Sequence, residues 1–300
     1  MDTKKDLKKH YFKYIFSLLL FGSNGVIASY ISLSSYEIVF FRSLIGSLLL
    51  IALFKLAGNK FDLMQNKRHL FYLTLSGAAM GASWVFLYEA YQQIGVGIAT
   101  LAIYCGPIIV MVLSPFLFKE KLTVPKIIGF AAVLSGIFFI NIQAIQDGKT
   151  TWGLICGIMS AIMYAIMVIF NKKAVSITGM KNATIQLTTA FLTVAIFLVL
   201  RQGLVIDVSP IDWLPILILG LLNTGIGCYL YFSAISGLTV QTVAILGYLE
   251  PLSAVVFSTV FLKEILHPIQ ILGGILIIGG AVFAEWASSK NSRAGRIRKS

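Results

Sequence analysis

The sequence predicts an all-α integral membrane protein in which ten transmembrane helices form two inverted five-helix repeats. Three observations support this fold class: the composition, the number of long apolar runs, and an internal duplication. Hydrophobic residues make up 58% of the 300 residues, charged residues make up only 12%, and the mean hydropathy is +0.88. A soluble domain of this length does not have such a composition.

Ten apolar runs are long enough to cross about 30 Å of hydrocarbon as helices. They lie at 12–31, 35–54, 70–90, 97–118, 124–142, 152–170, 183–200, 213–233, 239–262 and 269–287. Each run is continuously apolar, whereas the strands of a membrane barrel alternate between polar and apolar residues in segments of about ten. The runs therefore predict helices.

The chain contains a duplication, because residues 42–136 align with residues 186–280 at a constant shift of 144. Matched positions include Gly81 with Gly225, Tyr104 with Tyr248, Pro107 with Pro251, Lys119-Glu120 with Lys263-Glu264, and Gly129 with Gly273. Each copy holds five crossings, so the second copy enters the bilayer from the opposite side, as in many alternating-access transporters. We predict a first repeat with a basic N-terminal tail at 1–146, a second repeat at 147–287, and a basic, disordered tail at 288–300.

The basic residues are distributed unevenly between the two sides of the membrane. With the N-terminus inside, the predicted cytoplasmic segments hold twenty Lys and Arg residues and the outer loops hold three, Lys149, Arg201 and Lys263. This distribution predicts a multi-pass protein of the bacterial cytoplasmic membrane with both termini in the cytoplasm. Attraction of the basic tails to anionic lipid accounts for the net charge of +12 without a nucleic-acid partner.

No metal site, cofactor or enzyme is predicted. The three cysteines lie singly inside spans and the three histidines lie singly at helix ends, so neither type forms a ligand cluster. The sequence contains no HExxH motif, no GxSxG motif and no paired aspartates within spans. It also lacks a P-loop, so ATP is not expected to drive its activity.

Glu250 lies near the centre of the ninth span, where an ionised group costs a few kcal/mol unless it faces a cavity or a partner. Pro251 follows it, and Pro107 occupies the matched position in the first copy. Each proline leaves the carbonyl four residues earlier without its helical hydrogen bond, so both spans should break near the midplane and could serve in gating. The alternative is that both breaks only shape helix packing, with Glu250 hydrogen-bonded internally.

Arg42 lies inside the second span, about 10 Å beneath the outer surface at the helical rise per residue. Its counterpart in the second copy is Gln186, which is polar but uncharged. Arg42 is a candidate for substrate binding or gating. Alternatively, it extends to the surface or pairs with Glu37 on its own helix. Glu89, at the outer end of the third span, is expected to be interfacial.

Several other polar and aromatic residues at membrane depth are candidates for lining a cavity: Asn24, Trp84, Tyr104, Tyr164, Asn223 and Tyr248. Aromatic rings around one acidic group favour a cationic or zwitterionic organic solute. The alternative is that these aromatic residues belong to the membrane interface. That alternative suits Tyr88 and Tyr229 better than Tyr104 and Tyr248.

The arrangement resembles the EamA-type transporters of the drug/metabolite transporter superfamily. The resemblance is carried by Lys-Glu after the fourth span of each copy, by Tyr-Leu-Glu-Pro-Leu-Ser-Ala at 248–254, by Leu-Phe-Gly-Ser-Asn at 20–24, and by Phe-Phe-Arg at 40–42. It implies a ten-helix secondary transporter with a central cavity, which moves amino acids, nucleobases, amines or related metabolites, often outward.

The function expected from the sequence is ATP-independent, alternating-access transport of a small molecule across the lipid bilayer. Glu250 beside tyrosines favours amino acids or organic amines and cations as substrates, and export is one direction that the resemblance allows. The coupling ion (proton or sodium) and the assembly (monomer or homodimer) are left open. The alternative function is a flippase of a lipid-linked metabolite, which would need several cationic groups for phosphate, whereas the spans offer only Arg42.

Overall fold

The computed structural model describes residues 3–58, 66–141, 151–203, 207–263 and 268–297, and these residues are helical apart from short connections. The first-repeat helices are α1 Thr3–Gly22, α2 Asn24–Ala28, α3 Ser35–Leu56, α4 Lys67–Ile103, α5 Cys105–Phe118 and α6 Val124–Asn141. The second-repeat helices are α7 Thr151–Lys173, α8 Gly179–Gln202, α9 Trp213–Ile218, α10 Gly227–Ile235, α11 Val240–Leu246, α12 Leu249–Leu262 and α13 Pro268–Ile297. A π-helical segment, Leu219–Ile226, joins α9 to α10.

The described helices match the ten predicted spans. Seven helical stretches are long and apolar enough to cross a membrane, among them Ser35–Leu56 and Thr151–Lys173. Three shorter apolar helices, Cys105–Phe118, Val124–Phe139 and Ile271–Ala284, lie at the predicted fourth, fifth and tenth spans. The predicted all-α membrane fold with two five-helix repeats is confirmed.

The third and fourth predicted spans share one continuous helical stretch, α4. Four contacts against α7 run in chain order: Ser76 with Met167, Ser83 with Ser160, Ala102 with Gly157, and Gly106 with Ala161. From the first contact to the second, the partner on α7 moves toward the N-terminus of that helix, and from the third to the fourth it moves toward the C-terminus. The chain therefore reverses direction between Ser83 and Ala102. The third and fourth spans are therefore antiparallel, although their connection is helical.

The two repeats break at matched positions with nearly the same backbone geometry. Tyr104 precedes α5 with φ −70° and ψ −4°, and Tyr248 precedes α12 with φ −72° and ψ −4°. Both helices have 14 residues and end at a left-handed lysine, Lys119 (φ 55°) or Lys263 (φ 58°). The breaks lie three residues before Pro107 and Pro251, where the missing proline N–H interrupts the helical hydrogen bonds.

Reciprocal glycine contacts show a two-fold relation between the repeats. A Cβ atom at Gly129 would lie 2.5 Å from the carbonyl oxygen of Gly280, and one at Gly136 would lie 2.5 Å from that of Gly273. The shift of 144 residues matches Gly129 with Gly273 and Gly136 with Gly280. A two-fold rotation therefore exchanges the two contacts, and small residues let α6 and α13 cross closely.

Contacts between connections show which helix ends share a face of the molecule. Two contacts on one face are Glu120 with Val240 and His69 with Ser176. Two contacts on the opposite face are Ser32 with Asp212 and Arg201 with Glu89. These pairings are those that an inverted repeat requires. The distribution of basic residues predicts that the first face is cytoplasmic.

Single cysteines should report this orientation in a variant whose three native cysteines are replaced by serine. Because of the twenty-to-three distribution of basic residues, cysteines at Gly148 and Gln202 should react with an impermeant maleimide on intact cells. Cysteines at Gln65 and Ser176 should react only after permeabilisation. Gly148 and Gln65 lie outside the described residues. Reversed labelling of both pairs would contradict the predicted orientation.

Two predicted boundaries concern the ends of the repeats. The boundary between Gln146 and Asp147 lies outside the described residues and stays a prediction. At the C-terminus, α13 continues to Ile297, beyond Ser288, where a disordered tail was predicted. The residues after Ser288 include Lys, Arg and Ala, which favour helix, so an apolar helix can continue into this basic segment.

Candidate substrate-binding cavity

A cavity lies between the two repeats and receives side chains from both. It encloses about 980 Å³ of space between its walls, counting the open mouth. Its aromatic lining residues are Phe21, Trp84, Tyr91, Tyr104, Tyr164, Tyr231 and Phe232. Its polar and charged lining residues include Asn24, Arg42, Ser83 and Glu250. The cavity is therefore rich in aromatic residues, with one charge of each sign among its described lining residues.

The structure brings most of the predicted binding residues together. Six of the eight line the cavity: Asn24, Arg42, Trp84, Tyr104, Tyr164 and Glu250. The other two, Tyr248 and Asn223, lie behind the wall. Of the two prolines, Pro107 lines the cavity, whereas Pro251 is buried in the first turn of α12 and is not a lining residue.

Arg42 is held in the cavity by an aromatic ring. Its side chain is only 7% exposed, so it does not extend to the surface. The guanidinium carbon lies 4.7 Å from the centre of the Trp84 ring, a cation–π contact. Its Nε atom is buried without a hydrogen-bond partner. A buried donor in this state is costly.

Glu250 faces the same cavity from the first turn of α12. Its backbone N–H donates to Gly247 at 3.2 Å, while no hydrogen bond joins its carboxylate to another described residue. The position at the start of a 14-residue helix favours a negative charge, since the helix dipole is positive there. The described residues therefore do not support the alternative in which the Glu250 side chain is hydrogen-bonded inside the protein.

The two charges do not neutralise each other by direct contact. Arg42 is close enough to Glu250 to affect it electrostatically, but the two side chains do not form an ion pair with each other. Each charge therefore remains available to a ligand. Holding two unpaired charges away from water is costly, and a ligand with complementary charges would offset that cost.

Tyr248 supports the cavity wall. Its side chain is fully buried, and its hydroxyl donates to the backbone carbonyl of Tyr104 at 2.7 Å. The two rings lie 5.8 Å apart. Because Tyr104 is at the break between α4 and α5, this bond ties the break of one repeat to the break of the other.

Sequence reasoning missed several lining residues. Tyr91 follows Trp84 by seven residues, so two helical turns place both on one face; that spacing was available in the sequence. Tyr231 gave no comparable signal. It is buried near Tyr14 and Tyr164, with no well-formed hydrogen bond to its hydroxyl.

Glu89 was expected at the interface but is buried in a polar cluster. It is 8% exposed, accepts hydrogen bonds from the Tyr36 hydroxyl and from Gln93, and pairs with Arg201. The Arg201 guanidinium also lies 5.1 Å from the centre of the Tyr36 ring. This cluster joins α3, α4 and α8 on the face opposite Glu120.

On the predicted cytoplasmic face, a set of hydrogen bonds joins the two repeats; we name it the inter-repeat clamp. Glu120 accepts from the backbone N–H groups of Val240 (2.8 Å) and Gln241 (3.1 Å) at the start of α11. Lys126 donates to the Gln241 side chain at 2.7 Å. Within the second repeat, Lys172 supports the turn that precedes α11 by donating to the carbonyls of Ile235 and Leu238. The clamp holds the start of α11 against the first repeat.

The fold and the cavity define an inverted-repeat membrane protein with a central cavity between its two repeats. The chain belongs to the EamA-like transporter family, whose sequence profile matches residues 9–142 and 151–286, one segment for each repeat.

Individual relatives agree with this assignment. The chain is 27% identical over 285 residues to the uncharacterized transporter YxxF of Bacillus subtilis, covering 89% of this chain and 86% of that protein. It is 24% identical over 265 residues to the uncharacterized inner membrane transporter YhbE of Escherichia coli K12, covering 82% and 81%. A solved crystal structure with 17% identity has a TM-score of 0.79, covering 92% of this chain and 98% of its own, and supports the fold.

Proposed function

We propose that this protein is an ATP-independent secondary transporter of small organic solutes that carry an amine, with amino acids and organic amines as its substrates. The observation that supports this most directly is the pair of opposite, unpaired charges, Arg42 and Glu250, in one aromatic cavity between the repeats. Family membership supports transport as the activity, because the relatives are described as transporters.

The charges favour an amine-bearing solute. Aromatic rings attract cations, and Glu250 offers a carboxylate to an ammonium group. A plain anion would meet Glu250 in a low-dielectric setting, with Arg42 as the one cation among the described lining residues to offset it. A zwitterion satisfies both charges, so amino acids fit the cavity better than simple amines.

The repeat geometry supports alternating access as the mechanism. The breaks at Tyr104 and Tyr248 are matched, and the cavity lies between the two repeats that contain them. Rocking of one repeat against the other would open the cavity to each side in turn. The break residues and Pro107 are the positions at which such bending would be concentrated.

A thermal-shift screen of the purified protein tests the substrate class. Amino acids, amines, nucleobases and sugar phosphates are compared as ligands. Each ligand that raises the melting temperature is then tested for transport into liposomes that contain the protein. We expect stabilisation and flux with amino acids or amines. Selective stabilisation by a dianionic nucleotide sugar or phosphate would overturn the proposal and would assign the main binding role to Arg42.

The same liposomes identify the coupling ion. Flux is measured under an imposed proton gradient, an imposed sodium gradient, and neither. Glu250 is the ionisable carboxylate of the described lining, so we propose it as the carrier if protons drive transport. A flux that is the same with either gradient as without one would indicate facilitated diffusion.

A further inference from the structure

Asn223 makes a group of hydrogen bonds behind the cavity wall. It is 2% exposed and belongs to the π-helical segment Leu219–Ile226. Its side-chain nitrogen lies 2.8 Å from the carbonyl oxygen of Leu20, 2.8 Å from the hydroxyl of Ser23, and 3.0 Å from the side-chain oxygen of Asn24. These acceptors surround the break between α1 and α2.

The bond to Asn24 determines which end of that amide faces the cavity. An amide side chain has one oxygen acceptor and one NH₂ group with two donors. The Asn24 oxygen accepts from the Asn223 NH₂ group, whose two N–H donors are shared among three acceptors. No hydrogen bond joins the Asn24 NH₂ group to another described residue. Since Asn24 lines the cavity, its two N–H donors are left for a ligand.

The π-helical segment brings Asn223 to this position. Residues Leu219–Ile226 form a π-helix, whose turns are wider than those of an α-helix and occur often at functional sites. Within it, the Thr224 hydroxyl donates to the carbonyl of Leu219 at 2.9 Å. The matched residue in the first copy is Ala79, which is buried and apolar. The duplicated scaffold therefore packs without a polar residue at this position, so the fold alone does not require Asn223.

We infer that Asn223 is a positioning residue, which holds the Asn24 amide so that its N–H groups bind an acceptor oxygen of the substrate. In a zwitterionic substrate the carboxylate supplies the acceptor oxygens, because an ammonium group only donates. Asn24 and Arg42 then both bind the carboxylate end, and Glu250 binds the amine end. The identity of the ligand rests on the proposed function.

Asn223→Asp tests the inference without touching the cavity lining. An aspartate cannot donate, so the Asn24 amide should turn to donate to it and present its oxygen to the cavity. The probes are the common amino acids, each compared with the amine that lacks its carboxylate. We expect the ratio of amino-acid to amine affinity to fall at least tenfold in Asn223→Asp, as it should in Asn24→Asp.

Two further variants separate positioning from stability. Asn171→Asp alters a second buried Asn–Asn pair, in which Asn171 donates to Asn182 at 2.9 Å and neither residue lines the cavity. It should lower the melting temperature without changing the affinity ratio. If Asn223→Asp does not fold, Asn223→Ala, which introduces the residue of the first copy, should also lower the ratio.

An unchanged affinity ratio in a folded Asn223 variant would overturn the inference. So would a ratio that falls in Asn24→Asp and stays unchanged in both Asn223 variants, because Asn24 would then act without positioning. Failure of the proposed function is a separate result: the wild-type protein would bind neither amino acids nor amines.

Discussion

Replacing Glu250 with Gln is expected to abolish transport of amine-bearing solutes while the protein remains folded. The substitution keeps the shape of the side chain but removes the negative charge that faces the cavity. Removing one partner of a buried charge pair costs about 2 to 5 kcal/mol, which corresponds to roughly 30-fold to several-thousand-fold weaker binding. Flux into liposomes and the ligand-induced thermal shift measure the loss.

Two companion variants control this experiment. Asp207→Asn removes an exposed carboxylate that does not line the cavity, and it should transport like the wild type. Arg42→Gln, which introduces the residue found at the matched position of the second copy, should weaken the binding of amino acids more than the binding of amines. Normal transport by Glu250→Gln, together with loss of all transport in Arg42→Gln, would contradict the assignment of the amine to Glu250.

Replacing Glu120 with Ala is expected to open the cavity toward the predicted cytoplasmic face. The substitution removes the carboxylate that accepts hydrogen bonds from two backbone N–H groups at the start of α11. Hydrogen bonds to a charged group contribute about 1.5 to 3 kcal/mol each, so a net loss of about 2 kcal/mol would shift the equilibrium between states about 30-fold. Substrate flux should change with it, since the clamp must release in each cycle.

Cys228 provides a native reporter of that opening. It lines the cavity and is 2% exposed, so it should react slowly with an impermeant thiol reagent added to inside-out vesicles. With Cys105 and Cys156 replaced by serine, the labelling rate should rise in Glu120→Ala. Lys119→Gln, which alters the exposed neighbour, should label like the wild type. Equal rates in both variants would show that the clamp does not control access.

Several parts of the fold could be predicted from residues close in sequence. The ten spans follow from apolar runs, since the length of a membrane helix is set by the bilayer. The matched breaks near Pro107 and Pro251 follow from the missing proline N–H. Arg42 and Glu250 stood out as candidates because an ionised group within the bilayer is too costly to keep without a function or a partner.

Other parts of the site depend on contacts between distant residues. The sequence suggested Tyr248 and Asn223 as substrate-binding residues because both are polar at membrane depth. The structure places them behind the cavity wall, where they bond to Tyr104 and Asn24. Membrane depth is a property of one span, whereas the direction in which a side chain points depends on the helix that packs against it.

By itself, the sequence determined that this is a duplicated ten-span membrane protein with a charge of each sign at membrane depth. These properties depend on hydrophobicity, on local backbone chemistry and on an alignment of the chain with itself. Only the tertiary structure decided that Arg42 and Glu250 face one cavity without contact, and that Glu120 clamps the start of α11. Both arrangements join residues from different repeats, more than a hundred positions apart, so packing of one repeat against the other creates them.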